Sequence, residues 1–156
     1  MSQFDDFGHE SHMRRAFAEA RAATERGDRP FGSVLVRDDE VVMTESNRVV
    51  TAEDVRRHPE LHLAYRACRE MDSEARAETV MYTSTEPCAM CSGGIYIASL
   101  GGVVYSVSAA TAADLTGGGA VVPSAEILGR GDREVPVHGP VLETAGKDVH
   151  RECWPY

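Results

Sequence analysis

The chain has 156 residues, 42% apolar and 26% charged, the length and balance of one compact domain with a substantial core and no room for a linker and a second domain. Its formal charge is −9, from 25 acidic against 16 basic residues with no run of Lys or Arg, so no nucleic acid is expected as partner and a small uncharged ligand is. Met1 to Asp6 is polar and no apolar run approaches the roughly 20 residues that span a bilayer, which excludes a membrane and predicts a cytoplasmic setting, where cysteines serve as metal ligands or buried thiols rather than disulfides.

His9 to Arg26 carries Met13, Ala16, Phe17 and Ala20 at helical spacing and runs into Gly27-Asp28-Arg29-Pro30, which predicts an amphipathic helix and its stop. Ser33 to Val36 and Val41 to Thr44 are β-branched runs around Asp38-Asp39-Glu40, a hairpin pattern, with Asn47 just past its second strand. Thr51 to Arg57 is polar and reads as a loop. From Pro59 to Met71, the residues Leu61, Ala64, Tyr65, Cys68 and Met71 share one face of a second helix, whose first position suits Pro59 because the missing N–H matters least there. Thr79 to Thr83 reads as a third strand, Cys88 to Ser99 as a buried helix and Val103 to Val107 as a fourth strand. Beyond Ala109 the pattern weakens: Gly117-Gly118-Gly119 and Gly129-Arg130-Gly131 mark loops, Val135 to Val137 an edge strand and Val141 to Trp154 a last helix. Strands alternating with helices predict an α/β layered fold with a partly parallel sheet, and the chain contains no repeat.

His58-Pro59-Glu60 and Pro87-Cys88-Ala89-Met90-Cys91 carry the chemistry. Two cysteines separated by two residues at the start of a helix aim both sulfurs at one ion, and the helix N-terminus favours thiolate over thiol. With the His58 imidazole they make a three-ligand zinc site whose fourth position is open to a water, and zinc lowers that water's pKa to about 7. Glu60, two residues from the histidine, can accept the water's proton and return it to a substrate nitrogen. Two other arrangements stay open on spacing. A structural zinc would need a fourth ligand, for which His62, Cys68 and Cys153 are candidates, and would make the chain a non-catalytic zinc-stabilised binding module. His62 could also replace His58 as ligand, but Ala64 would then hold the glutamate position and the gap to Cys88 would shorten from 30 to 26 residues.

His-x-Glu followed by Pro-Cys-x-x-Cys resembles the cytidine deaminase-like superfamily of zinc deaminases. The 30-residue gap, the segment Tyr82-Thr83-Ser84-Thr85-Glu86-Pro87, Pro30-Phe31-Gly32 and Asn47 are similar to its guanine deaminase and tRNA adenosine deaminase branches, the guanine and nucleoside deaminases foremost, and the resemblance runs from about Pro30 to Tyr105. It implies a three-layer α/β/α fold, a mixed sheet of about five strands flanked by helices, in one zinc-dependent deaminase domain over residues 1–156. The C-terminal segment, about 139–156, would be an active-site cap or dimer element. Residue by residue, the resemblance implies His58, Cys88 and Cys91 as zinc ligands and Glu60 as proton shuttle. Asn47 would hydrogen-bond the base, the backbone N–H of Cys88 would help hold the attacking hydroxide, the backbone C=O of Ser84 would receive the departing ammonia, and Phe31 would line the base pocket. Pro59 departs from the pattern: alanine or glycine is usual there and lends its N–H to the substrate, which proline lacks.

The implied reaction is hydrolytic deamination of a nucleobase or nucleoside, with attack at the amino-bearing carbon, proton delivery by Glu60 and release of ammonia. Pro30-Phe31-Gly32, the length and the aromatic C-terminus point to guanine, a related aminopurine or guanosine, with cytosine or cytidine as the alternative and a homodimer as the implied assembly. His150, Trp154 and Tyr156 are candidates for a cap over the substrate. Guanine deaminases usually carry an acidic pair after the fourth strand, where this chain has Gly117-Gly118-Gly119; Asp114 and Glu143 are the acids considered as substitutes.

Overall fold

The computed structural model describes residues 3–154. Helix α1, His9–Glu25, opens the fold and buries Met13, Ala16, Phe17 and Ala20, the stripe that its spacing predicts. The hairpin follows as β1, Gly32–Arg37, and β2, Glu40–Ser46. Its two-residue turn is Asp38-Asp39, both at positive φ, as the tight turn joining two right-twisted strands requires. Gly32 is obligatory for a different reason: a Cβ there would collide with the backbone of Ala16 and Ala20, so the missing side chain lets α1 lie directly on the sheet.

Helix α2, Pro59–Glu70, and the short α3, Ser73–Ala77, lead into the central strand β3, Thr79–Thr85, every residue of which is buried. Then come α4, Ala89–Ile97, and β4, Gly102–Val107, followed by α5, Ala109–Thr116, and α6, Ser124–Leu128. A two-residue strand β5, Val137–His138, and α7, Glu143–Cys153, complete the order. The sheet reads β2-β1-β3-β4-β5. β1 is antiparallel to both neighbours, whereas β3, β4 and β5 run parallel, so the sheet is mixed and has five strands, as expected.

Side-chain alternation divides the core between two faces of this sheet. Val34, Val36, Val80, Tyr82 and Val104 pack with α1 and with Val149 of α7. Leu35, Met81 and Val103 pack with Leu63, Ala64 and Ala67 of α2, Ile95 of α4 and Leu128 of α6. Helices therefore cover both faces, which is the three-layer α/β/α arrangement. Among the described residues no helix is long and apolar enough to cross a membrane.

The sequence reading needs three corrections. The buried face of α2 is Glu60, Leu63, Ala64 and Ala67, while Tyr65 is 55% exposed and Cys68 is exposed. A charged residue on the inward stripe made the apolar pattern point to the wrong side. The edge strand lies at Val137–His138, where it pairs with Val103 and Val104, rather than at Val135 to Val137. Helices α3, α5 and α6 lie where no helix is expected. α5 contains no buried residue, so no apolar stripe marks it, although Ser108 caps its start and Gly117 ends it in the left-handed region.

Candidate active site

Two helix N-termini meet at the C-terminal end of β3. His58 is the N-cap of α2 and Cys88 the N-cap of α4, both in extended backbone, with Pro59 at the first helical position of α2. The helices approach closely because Gly94 carries no side chain; a Cβ there would lie 2.6 Å from Leu61 Cδ1. This brings His58 Nδ1 to 3.8 Å from Cys88 Sγ. Cys91, one turn into α4 and fully buried, completes a group in which the three ligand atoms lie within 4.8 Å of one another.

The group fits a tetrahedral metal ion. Zinc bonds of roughly 2.3 Å to sulfur and 2.0–2.1 Å to nitrogen put neighbouring ligand atoms roughly 3.6–3.8 Å apart, the separation found between His58 and Cys88. One imidazole and two thiols are a donor set that zinc prefers. Their electrostatics agree with that use. The hydrogen bond from the Cys91 thiol, against the opposing effect of burial, and the nearby His58 imidazole pull the Cys88 thiol far below its ordinary pKa, while donation to Cys88 and burial push the Cys91 thiol up. The Cys88 contact raises His58 against the effect of burial.

Glu60 is 6% exposed beside this group. Burial pushes its carboxyl up to about 7; the His58 imidazole opposes that rise, and the negative Cys88 sulfur adds to it. Ser33 Oγ lies 3.4 Å from Glu60 Oε1 and also 2.8 Å from Thr83 Oγ1, and the Thr83 hydroxyl donates to the Thr85 carbonyl at 2.9 Å. The Ser33 hydroxyl is the donor toward Glu60, a contact that favours the carboxylate and opposes the rise that burial causes. A carboxyl held between its two protonation states near neutral pH is suited to moving protons.

His58, Glu60 and Cys88 line a cavity of about 550 Å³, together with Phe31, Pro59 and Trp154 among others. The Phe31 and Trp154 rings lie edge to face at 5.9 Å, and the Arg29 guanidinium lies 5.2 Å from the Trp154 ring centroid. His150 stands behind them, 5.7 Å from Phe31, with Nε2 at 2.8 Å from Thr85 Oγ1. The side chain of Trp154 thus lines the cavity of its own chain. Tyr156 lies outside the described residues.

Other sequence-predicted residues fall elsewhere. Asn47 is buried next to the site, but its side-chain oxygen accepts the Val49 N–H at 3.0 Å, and it does not line the cavity. Ser84 is buried in β3 and its hydroxyl oxygen accepts the Gly32 N–H at 3.1 Å. Asp114 is exposed on α5, and Glu143 pairs with Lys147 at 3.1 Å in the first turn of α7; neither lines the cavity. His62 stacks on Tyr65, with Nε2 3.7 Å from Glu45, and Cys153 lies 3.7 Å from Arg21 Nη1, so among the described residues neither joins the three ligand atoms. Two residues at the site lie outside those expectations: Ser33, whose position opposite Glu60 depends on the pairing of β1 with β3, and Glu86, which lines the cavity and carries no local signal.

A mixed sheet clad on both faces, with a His/Cys/Cys group and a buried glutamate at its strand ends, defines the class: a hydrolytic deaminase of cytidine deaminase-like fold. The chain belongs to the MafB19-like deaminase family, whose sequence model matches residues 7–117. It is 31% identical over 153 residues to a probable cytosine deaminase of Schizosaccharomyces pombe, covering 92% of this chain and 91% of that protein. It is 34% identical over 107 residues to the guanine deaminase of Bacillus subtilis, covering 68% and 69% respectively. A solved structure from a study of A-to-I editing by tRNA:A34 deaminases superposes with a TM-score of 0.72 at 27% identity, covering 90% of this chain and 99% of that one. These relatives differ in substrate and share deamination.

Proposed function

We propose that this enzyme is a zinc-dependent aminohydrolase of a free nucleobase or nucleoside, with guanine or a related aminopurine as first substrate. The observation that carries the reading is the convergence of His58, Cys88 and Cys91 within 4.8 Å beside the buried Glu60, with His58, Glu60 and Cys88 lining one cavity. A zinc ion held by those three residues would supply Lewis-acid activation of a water near neutral pH. Glu60 takes one proton of that water and gives it to the ring nitrogen next to the amino-bearing carbon, then takes the proton of the newly added hydroxyl and gives it to the departing amine, so that the carbonyl forms as the C–N bond breaks and ammonia leaves. Phe31 and Trp154 offer apolar ring surface to a flat heterocycle, and their edge-to-face pairing holds that surface in place. The N–H of Cys88 and the C=O of Ser84 remain the assigned contacts of the attacking and departing groups, and Asn47 the contact of the base, reached by turning its amide from Val49.

A cytosine or cytidine substrate is the second reading, favoured by the relative that matches nearly the whole chain. Ammonia release from guanine, guanosine, adenine, adenosine, cytosine and cytidine separates the two. Fastest turnover of guanine or guanosine supports the first, and turnover confined to the pyrimidines replaces it with the second. The reading also takes a homodimer as the working form in a cytoplasmic setting, with exposed Tyr65, Met90 and Ile97 on the outer faces of α2 and α4 as the surface a second copy would cover. A monomeric mass by light scattering at working concentration would remove that part.

A further inference from the structure

We propose that Glu86 is a positioning residue that fixes one wall of the cavity and thereby selects substrate size, an inference that rests on the deaminase reading above. Glu86 is 8% exposed and stands between the end of β3 and Pro87-Cys88. Its backbone N–H donates to the Val107 carbonyl at 2.7 Å, tying the ends of β3 and β4 together. Its side chain reaches two helices. Oε1 accepts the N–H of Ala109, the first residue of α5, at 2.9 Å. Oε2 accepts both the N–H and the hydroxyl of Ser124, the first residue of α6, each at 2.8 Å.

One buried carboxylate therefore caps two helix starts, which is where a negative charge is best placed against unpaired N–H groups. α6 has only Pro123 at its N-cap, without a side-chain cap, and α5 has Ser108, whose oxygen is occupied by Thr111. α5 and the segment after it, from Ala109 through Thr116 to Gly117–Ala120, form one wall of the cavity. α5 buries no residue, so apolar packing holds it weakly and its anchoring hydrogen bond counts for more. Gly117, Gly118 and Gly119 all have positive φ and do not themselves brace the wall. Glu86 holds the start of α5 and the first residue beyond this connection, so it bounds the wall at both ends from a point two residues before Cys88. Glu86 itself lines the cavity, and three of its acceptor positions are taken by Ala109 and Ser124, so its main action on substrate is through the wall it holds.

The test uses Glu86→Gln, which keeps the shape and one acceptor but turns an NH₂ toward an N–H donor, and Ser124→Ala, which deletes one of the three side-chain bonds. kcat and KM for guanine and guanosine, bound zinc, and amide hydrogen exchange by segment are compared in the zinc-loaded protein. For Glu86→Gln, the KM of guanine should rise about tenfold, equivalent to ~1.4 kcal/mol, with kcat changed less than about twofold. The preference should move toward the larger guanosine, zinc should be unchanged, and exchange should quicken only in residues 109–128. Ser124→Ala should move the same quantities in the same direction by about threefold, and decides the matter if Glu86→Gln does not fold. A fall in kcat at constant KM and constant size preference would overturn the proposal, as would unaltered exchange in 109–128. If the wild-type protein releases no ammonia from any substrate, the deaminase reading fails, and the exchange measurement alone then decides whether Glu86 holds the wall.

Discussion

His58 Nδ1 and Cys88 Sγ lie 3.8 Å apart although 30 residues separate them in the chain. Each is the residue just before a helix, and the two helices meet only because Gly94 lets Leu61 close against α4. That contact converts two short motifs into a candidate metal-binding group and leaves Glu60, the second residue of α2, beside it.

Replacing Glu60 with Gln keeps the side chain's size and removes its proton exchange. Ammonia release should fall by roughly 10²–10⁴ in kcat, the contribution of a positioned general acid–base, while bound zinc stays at the wild-type level. Parallel enzyme assay and metal analysis check this; undiminished turnover would remove Glu60 from the mechanism.

Metal removal distinguishes an open catalytic site from a structural one. The two-faced apolar core does not depend on the metal ligands, so chelation should abolish activity while far-ultraviolet circular dichroism and the denaturant midpoint change little, and added zinc should restore turnover. Unfolding on chelation would instead support the structural alternative.

Pro59 sits at the first position of α2 and lines the cavity without an N–H to offer. Pro59→Ala supplies that donor at a position where helix geometry is already in place. The KM for the best substrate should fall about two- to tenfold, the range of one added neutral hydrogen bond, with kcat little changed. An unchanged KM in steady-state assays would show that the substrate makes no contact there.

Asp28 ties the turn after α1 to the loop that follows Asn47: its carboxylate accepts from the N–H of Val50 and of Thr51, from the Thr51 hydroxyl at 2.7 Å, and from Arg26, which also donates to the Asn47 carbonyl at 2.7 Å. Burial alone would raise its pKa, but these bonds outweigh burial and hold it below the ordinary value. A carboxylate with a depressed folded pKa contributes stability that is fully present above its unfolded pKa and lost as pH falls through the folded value. Asp28→Asn should thus lose about 1–3 kcal/mol in urea unfolding at pH 7, and the difference from wild type should shrink as the pH is lowered below about 4. An undiminished difference at low pH would show that the charge is not what matters.

The grouping of His58, Glu60, Cys88 and Cys91 was legible because their spacing is local. A cysteine pair at a helix start and a glutamate two residues past a histidine keep their relative placement in whatever fold carries those helices. The first four strands were legible too, since near-continuous β-branched and apolar runs mark strands covered on both faces. The substrate wall was not. Asp114 and Glu143, the acids considered, do not line the cavity, whereas Thr85, Glu86 and the small residues of α5 do.

By itself the sequence determined the candidate group and the layering: a His/Cys/Cys set with a carboxylate, and helices alternating with strands. Only the tertiary structure decided which face of α2 turns inward, that Ser33 meets Glu60, and that α5 forms a wall at all. The reason is the range of the interactions. Periodicity and capping spacing act within a few residues and can be read along the chain, but the partner of Ala109 lies 23 residues away and that of Ser124 lies 38 residues away, on one carboxylate that no local pattern marks.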